Sequence, residues 1–291
     1  QHHSRDRRHG DTSWGQNRCR LWLERENMTT TEFGNGTVLS EVSQGVGVIT
    51  LNRPETRNAL SSEVLKGLPE AIHSLEQNAE VNVLVLTGHD PAFCAGLDLR
   101  ELGESGGNIN PDQPSTSRGP FPKRIKPLIG AINGVAVTGG LELALACDFL
   151  IASERAKFAD THARVGVMPG WGLSVLLPQA IGVRRAREMS LTGNYLDAVT
   201  AAEWGLVNRV VSHESLMSTV HAVAQDICSN DQEGVRQMIN TYERTSGVTV
   251  DDGWALESSM GKEWLQRTGF TPGKVAERRA SIQGRGRAQN S

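Results

Sequence analysis

Glu142 lies in "GVAVTGGLELALACD", three residues after Gly139 and among Leu141, Leu143, Ala144 and Leu145. A carboxylate in the first turn of an apolar helix is a candidate general base, or simply a charge that complements the helix N-terminus. Further on, "FADTH" places His162 two residues after Asp160. Imidazole exchanges protons near neutral pH and can orient a water. In an extended segment residues two apart share a side, so Asp160 would face His162 and fix its ring. The plainer alternative is that His162 only fills space.

Two turns could supply the electrophilic half of a site. "AFCAGLDLREL" (92–102) and "GVAVTGGLELAL" (134–145) each put small residues between an apolar strand and a helix. Backbone N–H groups at such turns are left unpaired and can face a ligand, aided by the partial positive charge of the helix behind. Brought together, two of them make an oxyanion hole for a thioester or ester carbonyl. They could equally be two ordinary strand–helix turns.

The elements around these residues alternate. "GVGVITLNRP" (45–54) and "VNVLVLTG" (81–88) read as strands, the second buried on both faces, and "KPLIGAINGVAV" (126–137) as another. "SSEVLKGLPEAIHSLEQN" (61–78) carries apolar residues at helical spacing, with Ser61 as N-cap and a kink or shift expected at Pro69. A helix should begin near Leu141, and "DFLIAS" and "AKFAD" are short strands. Further helices are expected over 173–181, 183–191, 197–204, 214–229, 231–245 and 251–268. The Gly/Pro-rich stretch 103–120 reads as a mobile loop. Alternating strands and helices predict an α/β fold with parallel pairing.

Composition narrows the function. The 291 residues carry 38% hydrophobic and 22% charged residues and a formal charge of -3, which leaves no basic field for nucleic acid. No apolar run reaches the roughly 18 residues of a membrane span. Neither GxGxxG after a first strand nor GxxxxGK[ST] occurs, so no nucleotide phosphate site is indicated. Cys19, Cys94, Cys147 and Cys228 form no CxxC and read as reduced thiols of an intracellular, cytoplasmic protein. Residues 1–27 read as a disordered extension or upstream-start artefact, with the functional protein beginning near Met28. Asp6, Asp11, Glu24 and Glu26 count against an organellar transit peptide there.

Five motifs in order and approximate spacing resemble the crotonase (enoyl-CoA hydratase/isomerase) superfamily. They are "ITLNRPETRNAL", "VLVLTGHDPAFCAGLDLREL", "AINGVAVTGGLELALACDFLIASERAKFAD", "GVMPGWG" and "EWGLVNRVV", within residues 37–285. The resemblance implies a spiral of ββα turns over 28–200 and a C-terminal helical oligomerisation region over 201–291, assembled as trimers or dimers of trimers. It implies an acyl-CoA thioester substrate, fatty acid metabolism, no metal and no cofactor beyond the coenzyme A that the substrate carries. The oxyanion donors would be Leu97 and Gly139, and the coenzyme-binding backbone Arg57, Asn58, Ala59, Ala95, Gly96, Leu97, Asp98 and Leu99. Glu142 would be the first catalytic glutamate, and Arg278, Arg279 and Arg285 would reach the coenzyme phosphates unless they form a solvated basic tail.

The chain departs from the family at three places. Thr138 stands where glycine is common, a modest change expected to leave the donor undisturbed. In the motif F-x-x-P-E, Thr161 replaces the proline and His162 the second glutamate. Losing that glutamate should lower hydration by roughly 10²–10⁴ unless His162 stands in. Trp171, in "PGWG", would narrow the acyl pocket or serve as a core aromatic. The resemblance implies enoyl-CoA hydratase. Isomerase, thioester hydrolysis, decarboxylation and a catalytically weak acyl-CoA-binding paralogue remain alternatives.

Overall fold

The computed structural model describes residues 29–106, 119–268 and 271–289. The expected extension 1–27, Cys19 and most of the expected loop 103–120 lie outside these. The elements, in order, are β1 (Thr31–Phe33), β2 (Val38–Ser43), β3 (Val46–Leu51), α1 (Ser62–Gln77), β4 (Val83–Gly88), β5 (Ala92–Cys94) and α2 (Leu99–Ser105). Then come β6 (Leu128–Ile132), β7 (Val135–Val137), α3 (Gly139–Leu145), β8 (Phe149–Ser153), β9 (Lys157–Ala159) and α4 (His162–Val165). The chain continues through α5 (Leu173–Ile181), α6 (Val183–Thr192), β10 (Leu196–Asp197), α7 (Ala198–Trp204), β11 (Arg209–Val211) and α8 (Leu216–Cys228). Helices α9 (Gln232–Thr245), α10 (Val250–Thr268) and α11 (Pro272–Gln289) complete it.

The strands form two sheets. One orders its seven strands β1-β2-β3-β4-β6-β8-β11, and the other its four strands β10-β9-β7-β5. Pairs β3–β4, β4–β6, β6–β8 and β8–β11 are parallel, as are β5–β7 and β7–β9. Each consecutive strand pair β4–β5, β6–β7 and β8–β9 gives one strand to each sheet and then a helix. This is the α/β spiral of ββα turns that the sequence implied.

Burial explains the apolar runs. Every residue of β4 is buried. Leu84 and Leu86 face the larger cluster with Phe93, Leu128, Leu141 and Phe158, while Val83 and Val85 pack on the far side with Leu216, Val220 and Ala224 of α8. A strand covered on both faces needs no alternation. In α1, Val64, Leu68, Ala71, Ile72 and Leu75 form the buried face, and Ser61 caps the helix by accepting from the Val64 N–H. The helix continues through Pro69. The apolar face is buried on both sides of the proline, and that packing overrides the local penalty.

The expected single strand 126–137 is two strands in different sheets. Asn133 makes the crossing by accepting from the Gly88 N–H (3.2 Å) and donating to Asp90 Oδ1 (2.8 Å) and the Ala92 carbonyl (3.2 Å). The following Gly134 passes so close to Pro91 that a Cβ would lie 2.4 Å from its carbonyl oxygen. The described part of 103–120 is also partly helical, since α2 runs to Ser105 and ends at Gly106. The β1–β2 hairpin, β11 and the short α4 were not expected.

The described residues up to Gln232 form one compact unit and the described residues from Glu233 a second. In the second unit Met260 is buried and Glu233 pairs with Arg267 at 2.8 Å. No described helix is long and apolar enough to cross a membrane.

Candidate active site

Two turns built on adjacent strands, β5 and β7, carry the site. After β5 the chain passes Ala95 and Gly96 (φ +83°), and Leu97 bridges to Leu60. The bridge uses the Leu60 N–H to the Gly96 carbonyl (2.7 Å) and the Asp98 N–H to the Leu60 carbonyl (3.2 Å). In a parallel bridge of this kind the Leu97 N–H points away from Leu60. Asp98 then caps α2 by accepting from the Arg100 and Glu101 N–H groups, and it pairs with Arg53 at 2.9 Å. Burial would raise the Asp98 pKa, but Arg53 and the capping N–H groups outweigh it and hold the carboxyl low.

The segment expected to bind the coenzyme is held by its own contacts. Arg57 and Asn58 are both left-handed, at φ +54° and +56°. Asn58 is buried, accepts from the Arg53 N–H (2.8 Å), and donates to the carbonyls of His89 (2.8 Å) and Ala92 (2.7 Å). Its side chain is therefore occupied, whereas the Arg57 side chain and Leu99 are exposed. The Arg57 carbonyl accepts from the Ala95 N–H at 3.0 Å, which ties this segment to the turn after β5. Ala59 is buried and gives its carbonyl to Arg53 (2.8 Å).

The second turn precedes α3. Gly139 opens the helix, so its N–H has no partner within the helix. A Cβ there would lie 2.8 Å from Leu60 Cδ1, and one on Gly140 would lie 2.2 Å from the Cys94 carbonyl oxygen. Glycine is thus required at 140 by close approach to the Cys94 backbone. Below it the Cys94 thiol is fully buried, and burial pushes its pKa up to about 12. Thr138 is not the modest change expected. It adopts φ +53°, ψ −119°, a region essentially reserved for glycine, at a cost of about 1–3 kcal/mol.

The groups expected to carry acid–base chemistry meet beside this turn. Glu142 is 3% exposed, accepts from the Trp171 N–H at 2.7 Å through Oε1, and lies 3.4 Å from His162 Nε2 through Oε2. On the other side of the ring, Asp160 Oδ1 lies 2.6 Å from His162 Nδ1 and accepts from the His162 backbone N–H at 3.1 Å. Asp160 does orient the imidazole, but not as an extended neighbour. His162 begins α4, and Asp160 reaches it around the turn.

Burial alone would lower the His162 pKa. Hydrogen bonds to Asp160 and Glu142 and the charges of both overcome that and raise it to about 9. The two carboxylates thus shift the ring upward from the ordinary imidazole range and favour its cationic form. Burial likewise would raise Asp160, but His162 and a hydrogen bond from Ser190 hold it below the usual range. Trp171 is partly buried against the core, and its ring atom Cζ3 lies 3.6 Å from where a Cβ of Gly139 would be. It is core aromatic and wall of the turn at once.

The sequence model of the enoyl-CoA hydratase/isomerase family matches residues 41–281. The chain belongs to that family. Within it, a probable peroxisomal enoyl-CoA hydratase of Arabidopsis thaliana is 37% identical over 260 residues, covering 89% of this chain and 97% of that one. The 1,2-epoxyphenylacetyl-CoA isomerase of Escherichia coli is 33% identical, over 80% and 98% of the two chains. The crystal structure of an enoyl-CoA hydratase from Mycobacterium smegmatis matches at 47% identity and TM-score 0.66, covering 79% of this chain and 99% of that one. One from Bacillus anthracis matches at 31% identity and TM-score 0.74, over 89% and 97%. The protein is an enzyme of the crotonase type that processes acyl-CoA. Ser190, Arg53 and the Trp171 N–H escaped sequence reading, because nothing local marks a serine on α6 or a backbone donor in a loop.

Proposed function

We propose that the protein hydrates 2-enoyl-CoA thioesters, with Glu142 and His162 as its acid–base pair. What supports this reading is the buried contact of Glu142 with His162 at 3.4 Å, beside the two turns that carry Leu97 and Gly139, the proposed carbonyl donors. The thioester oxygen accepts from those two N–H groups, which take up the charge as an enolate forms. Glu142 removes a proton from water, whose oxygen bonds to the β-carbon. The Nε2–H of His162, kept cationic by Asp160, supplies the proton that the α-carbon gains. Arg57, Asn58, Ala59, Ala95, Gly96, Asp98 and Leu99 line the coenzyme side through their backbone.

The test is hydration of 2-butenoyl-CoA, followed by loss of the conjugated thioester absorbance. Glu142→Gln should lower kcat by at least about 10²-fold with acyl-CoA affinity little changed. Wild-type turnover in that variant would refute the assignment. The Escherichia coli isomerase relative favours a second reading, in which the same pair moves a proton within the acyl group and no water is added. An isomerised product without a hydroxyacyl-CoA would select it.

We also propose that the C-terminal helices join copies of the chain as a trimer or a dimer of trimers. Exposed Tyr242, Trp254 and Leu265 on α9 and α10 support that reading. Arg278, Arg279 and Arg285, all on α11, are proposed partners of the coenzyme phosphates.

A further inference from the structure

We propose that Thr161 is a positioning residue, whose hydroxyl latches Thr138 in its glycine-like conformation and thereby aims the Gly139 N–H. Three residues meet here, and each immediately precedes a site residue. Gly96 precedes Leu97, Thr138 precedes Gly139, and Thr161 precedes His162. The Thr138 hydroxyl is hydrogen-bonded to the Thr161 hydroxyl. On its other side the Thr138 Cβ lies 2.9 Å from where a Cβ of Gly96 would be. Its side chain thus fills the space left by a residue without one.

The backbone of Thr138 is tied as well. Its N–H donates to the Ala159 carbonyl (3.0 Å) and its carbonyl accepts from the Glu142 N–H (3.1 Å). A threonine persists at φ +53°, ψ −119° only where its surroundings over-determine it. Those two bonds would be equally available to a glycine. What the threonine adds is a buried hydroxyl, only 3% of the residue being exposed, and Thr161 is its partner.

Thr138 and Thr161, the two threonines of this pair of turns, touch through their hydroxyls. A glycine at 138 adopts this backbone without help. Threonine there needs an anchor, and the anchor stands at the entrance to α4, next to the proton donor. The latch therefore holds the carbonyl-binding turn and the imidazolium in one register. Its catalytic value depends on the roles proposed above for Gly139 and His162.

The experiment is a double-mutant cycle with Thr161→Val, Thr138→Gly and the pair, with Thr161→Ser as the conservative variant. Two readouts are taken: kcat and KM on 2-butenoyl-CoA, and the thioester carbonyl stretching frequency of bound hexanoyl-CoA. Thr161→Val should lower kcat about tenfold, the scale of one lost hydrogen bond, with KM within about twofold. The bound carbonyl should shift back toward its free frequency. Thr161→Ser should recover most of both, and the double variant should return to the level of Thr138→Gly. Thr161→Ala repeats the measurement should valine disturb the packing. A wild-type kcat and carbonyl frequency in Thr161→Val, or a double variant as impaired as Thr161→Val alone, would overturn the latch. Should wild type fail to turn over 2-butenoyl-CoA, the hydration reading falls, and the carbonyl frequency still decides whether Thr161 aims the Gly139 N–H.

Discussion

Among the described residues, His162 and His213 each bridge two side chains, and their surroundings differ. His162 lies between Asp160 and Glu142 at 2.6 and 3.4 Å. His213 lies between Ser153 Oγ at 3.1 Å and Asp90 Oδ2 at 3.0 Å, and Asn133 donates to that aspartate. By residue types alone, the second group is the more suggestive of nucleophilic catalysis. Yet Ser153 is fully buried, and its oxygen also accepts from the Arg155 N–H. Among the described residues its side chain has no exposed surface. The Ser153–His213–Asp90 group instead ties β8, the end of β11 and the Asp90 turn together. At His162 both partners are buried carboxylates, which favour the cationic ring beside the turn that opens α3. Access and the charge balance around an imidazole decide its role, more than the list of its neighbours.

Removing each ring should separate the two most sharply. His162→Ala should lower turnover on 2-butenoyl-CoA by roughly 10²-fold or more, the scale of a lost acid–base group. His213→Ala should keep turnover within about twofold while losing about 1–2 kcal/mol of stability from its hydrogen bonds. Equal losses of turnover in both variants would erase the distinction between site and clamp.

The pH dependence of stability sharpens the contrast. The His162 pKa is raised in the folded protein, from 6.5 to about 9. Its contribution is therefore complete below pH 6.5 and is lost as pH rises through about 9, on the order of 1–3 kcal/mol. Urea unfolding at pH 6 and pH 9.5 should show that fall, and His162→Gln should flatten it. Hydration should decline over the same alkaline range rather than near pH 6.5, where an unperturbed imidazole would act. A decline centred on 6.5 would show that the ring is not held between two carboxylates in solution.

Asp90 behaves with the opposite sign. Burial would raise its pKa, but hydrogen bonds from Asn133 and His213 prevail and lower it. Its contribution is present above the ordinary value of 3.8 and is lost as pH falls through the depressed one. The group is largely exposed, so the effect should be the smallest of these. Asp90→Asn should shallow only the acid limb of the unfolding profile, and a change on the alkaline limb would contradict it.

The site was legible where chemistry leaves a local signature. The two glycine turns, Glu142 and the Asp160–His162 pair could be read from residue types and short spacings. The reason given for the last pair was mistaken, since the chain turns into α4 there instead of staying extended. Thr138 looked harmless because a side chain says little about the φ its neighbours impose. The break inside 126–137 was hidden for a similar reason. Both halves are apolar, and only the distant Asp90 turn shows that Asn133 and Gly134 cross between sheets. Ser190 and the Trp171 N–H reach the site through tertiary folding alone. For the fold, long buried strands and amphipathic helices were readable, whereas β11, three residues with none fully buried, carries no apolar run to show it.

Cys94 gives the active-site turn a built-in chemical reporter. Its thiol lies beneath Gly140 with no exposed surface, and its pKa of about 12 leaves almost no thiolate at neutral pH. It is the thiolate that attacks alkylating reagents and peroxide, so the folded chain should resist them at this position. Reaction requires the turn to lift from β5 or the whole unit to open. The rate at which an iodoacetamide probe labels Cys94 then measures how often the turn opens, without any substrate being present. Acyl-CoA bound across the turn should slow that labelling in proportion to its occupancy.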